Sequence, residues 1–296
     1  MLQKVNGQTY YCPGPTNIGV VRYKNGMALL VDAGIDSTAG RGLAQALEAE
    51  GLKPKYLILT HAHPDHFGAA KWLKEQYTGL LRYASGEEAM YMKYHRLESE
   101  ALYGASPLRE LEGRFLKGPA IEVENFLKPG VVELGEKRFQ IIALPGHTFH
   151  QIGVLTGDGV LFAGDSLFSE AIMEKYAFPF LLDVEAELQT LKNLEELEVQ
   201  AVVLAHGKEP YASIKELCAK NRERIEEYLE MIGDGCNQPL TREDVTEQIL
   251  LAAGTEADIP GYHMAFATAG AFLSYLANRH ELEKSIVGGK CYFYKE

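Results

Sequence analysis

The run Thr60-His61-Ala62-His63-Pro64-Asp65-His66-Phe67-Gly68 constrains this chain more than any other feature. Three histidines and one aspartate fall within six residues. They follow the apolar run Tyr56–Thr60, which reads as a buried strand. In an extended segment, residues two apart point the same way, so His61 and His63 can grip one ion. Pro64 turns the chain, and Asp65 and His66 can then face a second ion. Imidazole and carboxylate suit divalent zinc, iron or manganese. With this composition, His-x-His-x-Asp-His arises by chance about 10⁻⁶ of the time per starting position, so a random surface cluster is a poor alternative.

Three further ligand-type residues stand where an apolar run meets a glycine-containing turn. Pro145-Gly146-His147-Thr148 follows Ile141–Leu144, Ala163-Gly164-Asp165-Ser166 follows Val160–Phe162, and Ala205-His206-Gly207 follows Val202–Leu204. Alone, each is an ordinary turn residue. Beside the first cluster they become ligand candidates, because strand-end loops are where α/β folds place chemistry.

The first 210 residues alternate between strand and helix patterns. Asn25-Gly26 marks a hairpin between Ile18–Tyr23 and Met27–Asp32. Ser37–Gly51 and Phe67–Tyr77 have helical spacing. From Gly86 to Lys128 the periodicity weakens, and the segment reads as a helical insertion or lid. After Pro210 the texture changes. A charged helix over Tyr211–Ile232 is expected to stop at Gly233-Asp234-Gly235. A second spans Thr241–Ala253, with Thr241 and Asp244 spaced as a near capping box, and a third spans Tyr262–Arg279. Val245, Ile249 and Ala252 form one expected apolar stripe, and Phe266, Ala269, Phe272 and Leu276 another. A hairpin turning at Gly288-Gly289 closes the chain. Residues 1–210 are therefore expected as a catalytic domain and 211–296 as a small helical, winged-helix-like domain.

Taken in order, His61, His63, Asp65, His66, His147, Asp165 and His206 resemble the ligand series of the metallo-β-lactamase superfamily. Val31-Asp32-Ala33-Gly34 resembles its early strand-end aspartate. The resemblance covers roughly residues 1–230. It implies an α/β (α+β) protein, an αββα sandwich of two mixed sheets with helices outside. It also implies a dinuclear site: His61, His63 and His147 on one metal, Asp65, His66 and His206 on the other, and Asp165 bridging. Asp32 would brace the histidine motif, and Asp65 would also orient a metal-bridging hydroxide. Zinc is the first choice, with iron or manganese as alternatives. Where glyoxalase II-like members read Pro-Gly-His-Thr-Pro-Gly-His, this chain has Phe149 and His150 in place of the second Pro-Gly. His63 stands where flavodiiron-type members carry glutamate, which argues against that electron-transfer branch.

Charge narrows the chemistry further. The formal net charge is −12, and residues 211–296 hold nine basic against fourteen acidic residues. Neither half can coat a phosphate backbone, so nucleic acid is disfavoured as a partner despite the winged-helix-like outline. The expected reaction is hydrolysis of a small ester, thioester, lactone or amide. A nuclease or phosphodiesterase, and non-heme iron oxygen chemistry, are the alternatives. The apolar stretch after Asp165 supplies Phe168, Tyr176 and Phe178 as candidate pocket residues, with ordinary core packing an even alternative. His150 and His263 are further candidates, though a structural hydrogen bond and a surface or capping role are the simpler readings of each. Cys12, Cys218, Cys236 and Cys291 form no CxxC pair and suit free thiols. With no signal-like apolar start and no membrane-length apolar run, a cytoplasmic location is expected. The C-terminal region is expected to cover the site or to form a homodimer face.

Overall fold

The computed structural model describes residues 1–175, 180–254 and 256–296. Two mixed sheets dominate it. The first has seven strands in sequential order: β1 (Gln3–Asn6), β2 (Thr9–Cys12), β3 (Ile18–Arg22), β4 (Met27–Val31), β5 (Lys53–Ile58), β6 (Leu81–Ala84) and β7 (Asn125–Phe126). Pairing is antiparallel through β4 and parallel from β4 onward. The second sheet orders β12 (Ala201–Val203), β11 (Val160–Phe162), β10 (Ile152–Thr156), β9 (Lys137–Ala143) and β8 (Gly130–Leu134). Only its β11–β12 pair is parallel.

Side-chain alternation explains how the first sheet is covered on both faces. Ala28 and Leu30 of β4, with Leu57 of β5, face one core. That core is completed by α1 (Ser37–Ala49), α2 (Pro64–Phe67) and α3 (Ala70–Gln76) through Leu43, Leu47, Phe67 and Leu73. Leu29, Val31 and Ile58 point the other way, against Phe139, Ile141, Ile152, Val154 and Phe162 of the second sheet. A period of two thus turns short, almost wholly apolar strands into a layer buried on both sides. Each large side chain so buried contributes about 1.5–3 kcal/mol.

Residues 86–128 carry helices, as the insertion reading expects, and are anchored in one core of the first sheet. Helix α4 (Gly86–Lys93), α5 (Leu97–Tyr103) and a 3₁₀ turn at Arg109–Glu112 lead back into β7. Met92, Ile121 and Val123 are buried in the same core as Leu30 and Leu57. The polar surface of these helices masks the few apolar residues that anchor them.

The chain folds as two compact units. The first holds 1–144, 150–167 and 196–214, and so contains both sheets. The second holds 145–149, 168–195 and 215–296. It contains α6 (Glu170–Lys175), α7 (Val184–Glu195), nearly all of α8 (Ile214–Gly235), α9 (Arg242–Ala253), α10 (Ile259–Asn278) and the hairpin of β13 (Glu283–Val287) and β14 (Lys290–Tyr294).

Helix α8 runs through Gly233 and Gly235 instead of ending before them. Its buried face continues through Ile225, Tyr228, Ile232 and Cys236, and packing outweighs the glycine penalty. Helix α9 starts on the capping box of Thr241 and Asp244. Of its expected stripe, Val245 and Ile249 are buried but Ala252 is exposed. Helix α10 begins three residues before the expected start, because Asp258 caps it and Pro260 occupies its first turn. Ala269, Phe272 and Leu276 are buried as expected, and Phe266 is half-buried. Among the described residues, no helix is long and apolar enough to cross a membrane.

Candidate metal centre

The histidine run follows β5 through a bend at His61 and Ala62 instead of the expected extended segment, and His63 is the N-cap of the single-turn helix α2 with Pro64 in its first turn. Gly68 closes that turn where any side chain would strike the carbonyl of Ile35, 1.8 Å from an added Cβ. His61 and His63 meet as spacing predicts: His61 Nε2 lies 3.0 Å from His63 Nδ1.

Asp32 holds this run from below. It sits just past β4 at φ +64°, a left-handed conformation that aspartate tolerates better than most residues. Its carboxylate accepts from the Thr60 amide (2.8 Å), the Thr60 hydroxyl (3.0 Å) and His66 Nδ1 (2.8 Å). The last contact commits His66 to presenting Nε2 on its far side. That Nε2 is buried without a hydrogen-bond partner, 3.4 Å from Asp165 Oδ1 and 3.6 Å from Asp65 Oδ2.

The other ligand-type residues are pinned in the same way. His206 Nδ1 donates to the carbonyl of Pro15 at 2.8 Å, and its Nε2 faces Asp65 (3.2 Å) and Asp165 (3.5 Å). Asn17 fixes the His206 turn by donating to the carbonyls of Leu204 and Gly207. Asp165 donates its amide to Gln151 Oε1 (3.0 Å). His147 Nδ1 donates to the carbonyl of Phe180 (2.8 Å), and Phe180 and Phe168 stand edge-on to its ring. Gly146, at φ +144°, admits the buried Glu187, whose Oε2 would lie 2.1 Å from an added Cβ.

The result is two groups of potential ligand atoms, each within 4.8 Å of one another: His61, His63, His147 and Asp165 in one, Asp65, His66 and His206 in the other. The electrostatics favour positive charge here. Burial opposes ionisation, yet neighbouring His66 holds both Asp65 and Asp165 well below the usual carboxylate range. Burial likewise opposes protonation of His206, but Asp165 beside it pushes its pKa up to about 10. A set of imidazoles and carboxylates this dense, with a buried unpartnered nitrogen, fits a pair of divalent cations.

Of the candidate pocket residues, Phe168 stands edge-on to the ring of His147, with ring centroids 6.2 Å apart. His150 is exposed. His263, near the start of α10, is half-buried against Tyr262, its pKa lowered by burial, and it belongs to neither ligand group. Tyr176 and Phe178 lie outside the described residues. Sequence reasoning also passed over Thr16, Asn17, Glu88, Glu98 and Gln151. Thr16 donates to Asp65 Oδ2 (3.1 Å), and Glu88 accepts the amide of Ala62 (2.8 Å).

Comparison with known proteins agrees with this geometry. Residues 13–206 match the family model of the metallo-beta-lactamase superfamily. A metallo-beta-lactamase fold-containing protein of Sulfurisphaera tokodaii is 28% identical over 197 residues, 61% of this chain and 69% of that protein. A hydroxyacylglutathione hydrolase of Xanthomonas axonopodis is 29% identical over 145 residues, 49% of this chain and 44% of that enzyme. The chain thus spans less than half the length of that hydrolase. The crystal structure of a beta-lactamase domain protein from Burkholderia ambifaria superposes with a TM-score of 0.79 at 22% identity. That match covers 100% of this chain and 93% of the other.

Proposed function

The chain belongs to the metallo-β-lactamase superfamily as a metal-dependent hydrolase, and on that premise we propose that it cleaves a small ester, thioester, lactone or amide at a centre of two divalent ions, zinc by first choice. The observation that carries this reading is the pairing of the two His/Asp groups. His61, His63 and His147 would hold one ion and Asp65, His66 and His206 the other. Asp165 would serve both: it belongs to the first group, while its two oxygens face His66 and His206 of the second. Bound ions supply Lewis acidity toward the scissile carbonyl and a deprotonated water near neutral pH.

The protein's own part is orientation and proton handling. Contacts from Thr16, His66 and His206 all fall on Asp65 Oδ2. Asp65 Oδ1, which takes none of these contacts, would be the oxygen left to accept a proton from water. Asp32 holds His66, and the carbonyl of Pro15 holds His206, so neither ring has to reorient during turnover.

Two observations support an acyl substrate over a nucleic acid. The net charge of −12 repels a polyanion, and the relatives include hydrolases of hydroxyacylglutathione. Three helices followed by a hairpin support a winged-helix-like reading of residues 211–296, and their acidity argues against a nucleic-acid role for them. The test is a panel of chromogenic esters, thioesters, lactones, β-lactams and a phosphodiester, run with the native, chelated and metal-restored protein. Acyl cleavage lost on chelation and regained with zinc is expected. Turnover of the phosphodiester alone would move the nuclease reading to first place.

A further inference from the structure

Four of the five histidines in the ligand groups take their outer hydrogen bond from a loop residue of the scaffold that carries them. His61 Nδ1 pairs with the Thr60 hydroxyl (3.0 Å), His66 Nδ1 with Asp32, His206 Nδ1 with Pro15, and His147 Nδ1 with Phe180. All four thereby direct Nε2 inward. His63 is reversed. Its Nδ1 lies against His61 Nε2, and its Nε2 points outward to Glu98 Oε1, 3.7 Å away.

Glu98 comes from α5, inside the 86–128 insertion. Its side chain is only 12% exposed, and among the described residues no lysine or arginine lies within ion-pair distance of it. Its neighbours are conventionally compensated: Glu100 pairs with Arg96, and Glu112 with Arg96 and Lys117. Tyr91 also lies near Glu98, but it carries no positive charge, and a nearly buried carboxylate so placed is costly unless the imidazole before it carries a proton toward it. Glu88, one helix earlier, is also buried and accepts the amide between His61 and His63.

We propose that Glu98 is a positioning residue of the metal centre: its carboxylate, 3.7 Å from His63 Nε2, attracts the Nε2–H of His63 and so favours the tautomer that turns the Nδ1 lone pair toward the ion. The insertion is then a brace for the His61–His63 pair, with Glu88 fixing the peptide and Glu98 the ring. This rests on the dinuclear reading above. An outer carboxylate of this kind typically changes metal affinity about 10–100-fold.

The test uses the full chain and its Glu98→Leu and Glu98→Gln variants, titrated with cobalt(II) against a chromophoric chelator. Glu98→Leu is expected to weaken one of two ions about 10–100-fold and leave the other unchanged, with Glu98→Gln intermediate because its amide oxygen still accepts. Long-range ¹H–¹⁵N correlation of the zinc-loaded parent protein is expected to show His63 protonated at Nε2. A His63 Nε2 without that proton overturns the proposal even if the leucine variant does not fold, and Glu98→Gln tests the part played by Glu98 itself. Wild-type affinity for both ions in Glu98→Leu, or a His63 Nε2 without a proton, overturns the proposal. A parent protein that takes up no metal overturns the dinuclear reading itself, a distinct result.

Discussion

The histidine turn Thr60–Phe67 and the hairpin Glu283–Tyr294 are both short segments, and they spend their residues in opposite ways. In the turn, polar side chains are buried: His61 and His66 are at 0% exposure, and each ring is tied by a defined partner. In the hairpin, apolar side chains face solvent: Ile286 is 78% exposed and Val287 62%. A buried polar group must be satisfied or it costs stability, so a fold keeps such a cluster only where chemistry requires it. Exposed apolar residues carry a much smaller penalty, and few constraints act on them. Sensitivity to substitution should therefore differ sharply between the two.

The largest effect is expected at the turn. Asp65→Asn should cut kcat/KM about 10²–10⁴-fold with the fold intact, the range for loss of a positioned general base. Steady-state kinetics and circular dichroism check this together. A variant with near-native turnover would make Asp65 a bystander. Within the second unit, sensitivity should lie in the core and not the hairpin. Phe272→Ala removes a ring that is 1% exposed and packed near Tyr228, and should cost about 3–5 kcal/mol in denaturant unfolding.

A smaller effect belongs to Glu124, which accepts from Arg82 (2.8 Å) and pairs with Lys74 (3.1 Å). Burial opposes its ionisation, but the Arg82 and Lys74 bonds lower its pKa from 4.5 to about 2. A depressed carboxylate stabilises the fold above its unfolded pKa and loses that contribution as pH falls through the folded value. Unfolding followed between pH 5 and 2 should therefore show acid destabilisation that Glu124→Gln removes. Because Glu124 is one-third exposed, solvent screening limits the effect to about 1 kcal/mol. Ile286→Ser should do least, within about 0.5 kcal/mol. A larger loss would mean the hairpin surface is covered by a partner.

The same contrast explains what the sequence disclosed. The candidate ligand residues were legible because ligand chemistry is written in residue type and spacing: His61 and His63 two apart, and His147, Asp165 and His206 after apolar strands. Most strands were legible from their apolar runs and bounding turns. Glu88 and Glu98 were not, because they sit among other acids in a segment without periodicity, and only folding brings them to the histidine turn. Helix α8 was cut short for a related reason. Gly233 and Gly235 read as a stop, while the buried face that carries the helix past them depends on tertiary packing. Strands β1, β6 and β7 and the single-turn helix α2 escaped notice because two to four residues of mixed character carry too little pattern.

The central claim is that the two His/Asp groups form one dinuclear centre. Elemental analysis of the purified full chain, beside Asp165→Ala, tests it most directly. Two divalent ions per chain are predicted for the parent protein, with marked loss in the variant, since Asp165 faces both groups. A parent protein that holds no transition metal and stays fully active after exhaustive chelation would contradict the account.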